Sequence, residues 1–341
     1  MRYLVLIGLI VGGLLGYYVL WSHLADQMTA RADAWIEAQR RLGRDVSYSS
    51  RRIWGFPYRL SLTLEQPHWS DPRLPMAPRV DAGEITAHLQ LWNQEHVIFE
   101  LSGSQTVAWQ ENGAVRNVSL KSERFRASLV NDGAGNWLRV AADISMPQLK
   151  GPSGGIWHGD WSADKLLLHI RRAENVPPST DLALQADRAV LPLKPELASY
   201  RLLQSLRLTG NLRGSFYGNN WEDILSNWRE AGGVVDFSTI AFTWDELKVN
   251  GNGSLSIDRE FRPLGAMAVK TIGAMTTLDG LQATGAIDPT RIATARRALE
   301  ATKETVEKGV FIRDVALTAQ GGQLSLGDVP VFSLSSVLPG R

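Results

Sequence analysis

Two kinds of residue usage are missing from this 341-residue chain. There is no cysteine, which excludes disulfide bonds, thiolate metal ligands, iron–sulfur clusters and cysteine nucleophiles. There is also no excess of one charge, because 36 Lys and Arg residues face 35 Asp and Glu residues and give a formal net charge of +1. Nucleic-acid binders usually carry a basic excess that neutralises phosphates. We therefore expect no nucleic-acid partner.

Catalytic and metal-binding motifs are scarce as well. No pair among the 6 histidines has the H-E-x-x-H spacing, and no Walker loop or dinucleotide fingerprint is present. The segment 151–155 matches the G-x-S-x-G nucleophile elbow around Ser153, but its Gly and Pro residues are typical of a turn, not of a strand-to-helix elbow. We expect no catalytic residue, no metal and no cofactor. A serine hydrolase that uses Ser153 is kept as an alternative.

One long uncharged segment is present, at residues 3–21. At 1.5 Å per residue it spans about 28 Å, enough to cross the hydrocarbon core of a membrane. Interfacial aromatic residues stand at its two ends: Tyr3 at one end, and Tyr17, Tyr18 and Trp21 at the other. We predict a transmembrane anchor over residues 1–21. The alternative is a cleaved signal peptide, but an A-x-A-like cleavage site that ends in Ala25 needs a small side chain where His23 stands.

The flanking charge and the glycine spacing of this segment suggest its orientation and its contacts. Arg2 is the charge on the short side, so the positive-inside rule predicts a single-pass inner-membrane protein with the bulk of the chain in the periplasm. Gly8, Gly12 and Gly16 form two overlapping G-x-x-x-G spacings, which permit close helix–helix contact. They predict a homodimer through the transmembrane helix, although glycine is common in membrane helices in any case.

After the anchor, residues 22–43 read as a helical stalk, ended by Gly43. A period of two then begins, which is typical of strands with one buried face. The first such stretch predicts one long strand whose apolar positions share a face: Trp54, Phe56, Tyr58, Leu60, Leu62 and Leu64. Similar stretches recur along the chain, separated by turns rich in Gly and Asn. This pattern favours consecutive antiparallel hairpins over strand–helix–strand units.

The fold class predicted from these patterns is mainly β with a few helices (α+β). We expect one long curved antiparallel sheet or open half-barrel, preceded by one transmembrane helix. Its two halves are placed at residues 44–192 and 193–341. Covering helices are predicted near residues 195–205, 219–231 and 289–308, the last starting at an Asp288 cap followed by Pro289.

The apolar face of the first long strand has two interpretations. The six residues from Trp54 to Leu64 could form an ordinary core under the later helices, as most such faces do. Part of the face could instead stay open as a groove for an acyl chain or another apolar ligand. Both interpretations remain open from the sequence.

Several segments resemble a known family. The hexapeptide Gly55-Phe56-Pro57-Tyr58-Arg59-Leu60 resembles domain-of-unknown-function family 2125, a family of uncharacterised bacterial membrane-anchored proteins. Looser agreement comes from residues 253–258, 262–265, 327–330 and 338–339. The resemblance implies a bacterial envelope protein and carries over no functional residues. The amino-terminal layout is also distantly similar to envelope proteins with long β-sheets implicated in lipid handling.

These observations together predict a membrane-anchored periplasmic cell-envelope protein that is not an enzyme. We expect it to bind a lipid or another apolar ligand in a β-sheet groove, with membrane lipids and an envelope protein as partners. The alternative is an envelope interaction scaffold with a filled core and no ligand.

Overall fold

The structure is a computed structural model, and it describes residues 2–74, 76–111, 113–151, 160–173, 179–218, 221–307 and 309–338. Strands make up 53% of it and helices 24%, and the strands form mostly antiparallel sheet. The predicted fold class is therefore confirmed. The chain divides into two compact units, Met1–Val140 and Ala141–Arg341. The sequence places its two halves differently, with a boundary at residues 192 and 193.

The amino-terminal part is one continuous helix, α1 (Arg2–Arg41), so the predicted anchor and stalk share a single axis. It is long and apolar enough to cross a membrane, as judged by length and composition. Gly43 follows the helix in a left-handed conformation (φ +73°). Its amide donates to the Arg40 carbonyl, and the Arg44 amide donates to the Gln39 carbonyl. This paired Schellman geometry satisfies the last free carbonyls and confirms the predicted helix end.

Short and long antiparallel strands make up the rest of the first unit. They are β1 (Asp45–Ser47), β2 (Ser50–Trp54), β3 (Leu60–Glu65), β4 (His68–Ser70), β5 (Arg79–Gln90), β6 (Asn93–Glu111), β7 (Ala114–Lys121) and β8 (Arg124–Asn131). Strand β5 pairs with β3 and β4 along one edge and with β6 along the other. Because β6 is 19 residues long, its first half pairs with β8 and its second half with β7.

The predicted long strand from Trp54 to Leu64 is wrong. The chain instead forms a hairpin, in which β2 and β3 pair antiparallel around a turn at residues 55–59. Gly55 has a φ of +108°, which few residues other than glycine tolerate. Pro57 has no amide proton to donate to a ladder. The alternation of apolar residues continues through this turn, and so it imitates one uninterrupted strand.

The second unit contains the remaining strands, after β9 (Trp137–Ser145), which begins in the first unit. They are β10 (Gln148–Lys150), β11 (Trp161–Ser162), β12 (Lys165–Ala173), β13 (Ser179–Val190), β14 (Leu202–Arg213), β15 (Val234–Trp244), β16 (Leu247–Ile257), β17 (Pro263–Ile272), β18 (Lys303–Glu307), β19 (Val310–Gln320), β20 (Gln323–Leu326) and β21 (Val329–Ser333). Strands β12 to β17 pair in chain order, and β17 pairs with β19. The far edge of β19 pairs with β18 and β20.

Helices cover one face of the sheet within this second unit. They are α2 (Trp221–Glu230), α3 (Ala274–Ala283) and α4 (Pro289–Glu300), together with a 3-10 helix at Pro195–Tyr200. The Asp288 carboxylate caps α4 by accepting from the amides of Thr290 and Arg291, as predicted. A buried cluster joins the two last helices to the sheet: Val249, Val269, Leu278, Ile292, Leu299 and Val315.

Two helix predictions need correction. The helix predicted at 195–205 ends at Tyr200, because β14 begins at Leu202 and pairs with β13. The helix predicted at 289–308 ends at Glu300, because residues 303–307 form a hairpin strand with β19. Helix α2 occupies 221–230 of the predicted 219–231, and residues 219 and 220 lie outside the described residues. Helix α3 was not predicted.

Candidate functional site

An apolar groove lies between the carboxyl-terminal half of α1 and one face of the sheet in the first unit. Its volume is about 530 Å³, within the roughly 300–1,000 Å³ range of small-molecule sites. Its apolar lining consists of Met28, Ala32, Trp35, Ile36, Val46, Leu62, Leu64, Pro67, Trp69, Val80, Ile85, Ala87, Val97 and Phe99. We call the space bounded by these residues the helix–sheet groove.

The strand register explains the apolar floor of the groove. Leu62 in β3 stands opposite Ala87 in β5, and Ala87 stands opposite Phe99 in β6. Leu64 stands opposite Ile85 in the adjacent row. Paired residues in neighbouring strands point to the same face, so these side chains form continuous rows. The small Ala87 lies between two larger side chains, which leaves depth at the centre of the floor.

Helix α1 forms the wall of the groove. Met28, Ala32, Trp35 and Ile36 follow the i, i+4, i+7, i+8 spacing that places side chains on one helical face. Ile36 is buried, whereas Trp35 is 54% exposed although it borders the groove. A large ring that is left half in solvent beside an apolar cavity marks a surface that can still gain contacts.

Two basic side chains border the groove, and they differ in their partners. His68 Nδ1 lies 2.8 Å from Asp81 Oδ1, and its Nε2 lies 3.6 Å from Asp45 Oδ2. Arg31 is exposed and forms no ion pair with any residue that the structure describes. Arg31 is therefore a cation at the groove without an ion-pair partner among the described residues.

Of the three leucines predicted for the groove, two line the helix–sheet groove and one is buried next to it. Leu62 and Leu64 line the helix–sheet groove. Leu60 is fully buried and belongs to the packed core beside it. The predicted face is thus partly filled and partly open. The aromatic residues Trp54, Phe56 and Tyr58 were expected on the same face, and this part of the prediction is wrong.

Trp54 lies on the opposite, polar face of the sheet. Its Nε1 donates to Thr63 Oγ1 over 3.0 Å, and its ring meets the His88 ring edge-on at 6.0 Å. The Arg59 guanidinium lies over the Trp54 ring at 4.7 Å from the ring centroid, within cation–π range. Trp54 therefore supports the turn at residues 55–59 and does not contact the groove.

Phe56 packs against α1 where the uncharged segment ends. Its ring lies 5.6 to 5.9 Å from the rings of Tyr17, Tyr18 and Trp21. Trp21 Nε1 donates to the Arg59 carbonyl over 3.0 Å, and the Tyr17 hydroxyl donates to the Pro57 carbonyl. The residues predicted for the membrane interface therefore also hold the turn at residues 55–59. Pairwise packing between these segments could not be read from the sequence.

The other predicted anchor residues remain exposed. Tyr3 is 82% exposed. Gly8, Gly12 and Gly16 have no other atom near the place where a side chain would begin. Their small face is thus uncovered within this single chain, and the homodimer stays a prediction.

The polar face contains a set of contacts that the sequence did not reveal. Ser61 Oγ lies 2.8 Å from His88 Nδ1, and His88 Nε2 lies 3.4 Å from Glu100 Oε2. Burial lowers the pKa of His88 and favours its neutral form. This order of contacts resembles a catalytic triad, but Ser61 is fully buried and cannot reach a substrate in this conformation. Ser153, the serine of the nucleophile-elbow match, lies outside the described residues.

A buried carboxylate ties the end of the stalk to a loop of the first unit. Asp71 is 1% exposed. It accepts hydrogen bonds from Arg73 at 3.1 Å and from Arg44 at 3.0 Å. The Arg73 hydrogen bonds, helped by that from Arg44, hold the pKa of Asp71 well below its usual value. The carboxylate is therefore ionised across the physiological range.

A second cavity, of about 460 Å³, lies in the second unit. Charged and amide side chains border it, among them Arg207, Lys248 and Lys270, together with apolar ones such as Phe242 and Val249. Its lining is therefore less uniformly apolar than that of the helix–sheet groove. Among the residues that the structure describes, no three His, Asp or Glu side chains are grouped as metal ligands. The helix–sheet groove is consequently the candidate site.

The comparisons with known proteins agree with the resemblance seen in the sequence. No curated protein and no solved structure matches the chain. A family model described as an uncharacterised protein conserved in bacteria matches residues 21–334. This match covers most of the chain, including the α1 wall and the sheet floor of the helix–sheet groove. The chain therefore belongs to domain-of-unknown-function family 2125.

Proposed function

We propose that this protein is a membrane-anchored cell-envelope protein that binds one lipid or similar apolar molecule in the helix–sheet groove, without catalysing a reaction. The anchor is the uncharged part of α1, and the rest of the chain stands on the periplasmic side of the inner membrane. The charge of Arg2 on the short side supports this orientation.

The observation that carries the proposal is an apolar cavity built onto the anchor helix itself. The same helix supplies residues 3–21 to the membrane and Met28, Ala32, Trp35 and Ile36 to the groove. At 1.5 Å per residue, Met28 lies only about 10 Å along the helix from Trp21. An acyl chain that leaves the bilayer beside α1 reaches this apolar wall within one or two helical turns.

The groove also suggests the polarity of the ligand. Its walls are hydrocarbon, so each methylene that enters contributes about 0.8 kcal/mol. The exposed Arg31 guanidinium lies at the groove and suits an acidic headgroup. A lipid with an acyl chain and an acidic head satisfies both features.

Native mass spectrometry of the full chain extracted in mild detergent tests the proposal. The wild-type protein should retain one lipid in a stoichiometric adduct. Ala32→Phe fills the groove and should remove that adduct. Ala34→Phe adds the same ring to an exposed position of the same helix and should keep it.

The control separates groove binding from lipid held around the membrane-spanning segment. An adduct that persists equally in Ala32→Phe would place the lipid elsewhere on the protein and contradict the proposal. A wild-type protein without any adduct, together with a recoverable stoichiometric protein partner, would favour an interaction scaffold with a filled core.

The headgroup preference has its own matched pair of variants. Arg31→Gln removes the cation at the groove, whereas Arg41→Gln removes an exposed cation outside it. Because Arg31 is exposed, we expect Arg31→Gln to lower the preference for acidic over neutral lipids by only about 0.2–1 kcal/mol, or up to about fivefold. Equal lipid selectivity in the two variants would contradict a role for Arg31.

A further inference from the structure

Three chain turns meet at one end of the sheet in the first unit. Leu60, the residue after the turn at 55–59, stands opposite Leu89. One residue further on, Gln90 pairs with Asn93 across the turn at residues 91 and 92. His96 in β6 stands opposite Val130 in β8, next to the turn at residues 132–136. The antiparallel register thus brings all three turns to the same end of the sheet.

This end of the sheet carries exposed aromatic side chains. Phe56 is 45% exposed, Tyr58 78%, Trp92 74% and Trp137 39%. Among described residues 44–140, these four are the only aromatic side chains with such exposure. We call them the aromatic rim. The other exposed large apolar residues in that range are aliphatic: Leu74, Val80, Val107, Val115 and Leu138.

The aromatic rim lies at the level where the uncharged segment of α1 ends. Tyr17 and Trp21 donate hydrogen bonds to the turn at 55–59, and Phe56 packs among their rings. Two exposed guanidinium groups stand beside the rim, since Arg52 and Arg59 both lie over the Trp54 ring. Amphipathic aromatic rings favour the membrane–water interface, and arginine stems favour the same zone.

We propose that the aromatic rim rests in the interfacial layer of the bilayer that holds α1, so that this end of the sheet is a second membrane-contact surface. The inference rests on the membrane anchoring stated under the proposed function, but it does not depend on lipid binding in the groove. Its occupant is the lipid surface beside the anchor. Continuity with the interfacial residues of α1 favours lipid over a protein partner.

The aromatic rim fixes the orientation of the first unit relative to the membrane. One helix alone leaves a domain free to tilt about its exit point. A row of interfacial rings on three separate turns opposes that tilt. Strand β6 then points away from the bilayer, and at about 3.3 Å per residue its far end lies about 59 Å from Asn93.

Fluorescence quenching on the full chain tests the proposal. The chain has no cysteine, so each single substitution takes one thiol-reactive fluorophore. Tyr58→Cys and Trp92→Cys place the label on two different turns of the rim. Val115→Cys is the matched control, because Val115 is similarly exposed (71%) and belongs to β7, near the far end of β6. Leu14→Cys reports the membrane-spanning segment.

The labelled proteins are placed in phosphatidylcholine nanodiscs with and without a spin-labelled phosphatidylcholine as the quencher. We expect the quencher to lower the fluorescence of the labels at 14, 58 and 92 and to leave the label at 115 unchanged. Quenching at 14 without quenching at both 58 and 92 would overturn the rim proposal and leave the anchor intact. No quenching at 14 would overturn the anchor and the rim together, while mass spectrometry of the groove would stand as a separate test.

Discussion

The hydroxyl of Thr63 connects Trp54 to Thr86 on the polar face of the sheet. We predict that its removal measurably lowers the stability of the first unit. Thr63 is 2% exposed. Its Oγ1 accepts from Trp54 Nε1 at 3.0 Å and lies 2.9 Å from Thr86 Oγ1. Because the indole can only donate, the Thr63 proton is available to Thr86. Thr63→Val keeps the shape of the side chain and removes both hydrogen bonds.

The magnitude follows from the burial of the groups that lose a partner. Thr86 is 5% exposed, so its hydroxyl has no ready access to water, and the loss costs about 1–3 kcal/mol. Trp54 is partly exposed and can be hydrated, so its contribution is smaller. Replacing both threonines removes the unsatisfied hydroxyl, so Thr63→Val/Thr86→Val should recover most of the cost of the single variant.

Hydrogen exchange measured by mass spectrometry on the full chain reports this cost locally. Peptides that cover β3 and β5 should exchange faster in Thr63→Val, whereas peptides from α4 in the second unit should not change. The double variant should exchange more slowly than the single variant. Unchanged exchange in Thr63→Val would show that the hydrogen bonds from Trp54 and to Thr86 do not stabilise the first unit. Simple addition of the two single-variant effects would show that the two hydroxyls do not interact.

Three further predictions concern single residues. Gly55→Ala should destabilise the hairpin turn by about 1–3 kcal/mol, because a Cβ would lie 2.8 Å from the Arg59 carbonyl oxygen at a positive φ; faster exchange of residues 53–61 would show it, and wild-type exchange would refute it. Asp71 has a lowered pKa, so its contribution is present above its unfolded pKa and is lost as the pH falls below about 4. Thermal unfolding of Asp71→Asn should therefore depend less on pH in that acid range, and parallel curves would contradict the reasoning. Asp288→Ala should cost about 0.5–2 kcal/mol by removing the cap of α4, seen as faster exchange at its first turn and contradicted by unchanged exchange there.

Much of the fold could be predicted from local patterns in the chain. The uncharged run and Gly43 define α1 from start to end, and Asp288 with Pro289 marks the beginning of α4. Such signals are local, since a cap or a turn depends on a few neighbouring residues. Repeated alternation with Gly- and Asn-rich turns identified antiparallel sheet for the same reason.

Prediction failed where two local signals coincided or where a distant residue decided the outcome. The alternation from Trp54 to Leu64 runs through a turn, so the period alone could not reveal the hairpin. Helix α3 contains Gly280, which disfavours helix formation. A side chain there would collide with the Tyr200 hydroxyl at 1.8 Å, so a close contact from a distant segment requires the glycine.

The sequence by itself determined a long apolar amino-terminal helix, an antiparallel β architecture and the absence of cysteine chemistry, because each depends on composition or on local spacing. Only the tertiary structure decided which side chains form the site. The helix–sheet groove joins Ala32 and Trp35 of α1 to Ala87 and Phe99 of the sheet, across more than fifty intervening residues. Strand register and the course of one hairpin bring them together, and neither is encoded in the period of any single segment.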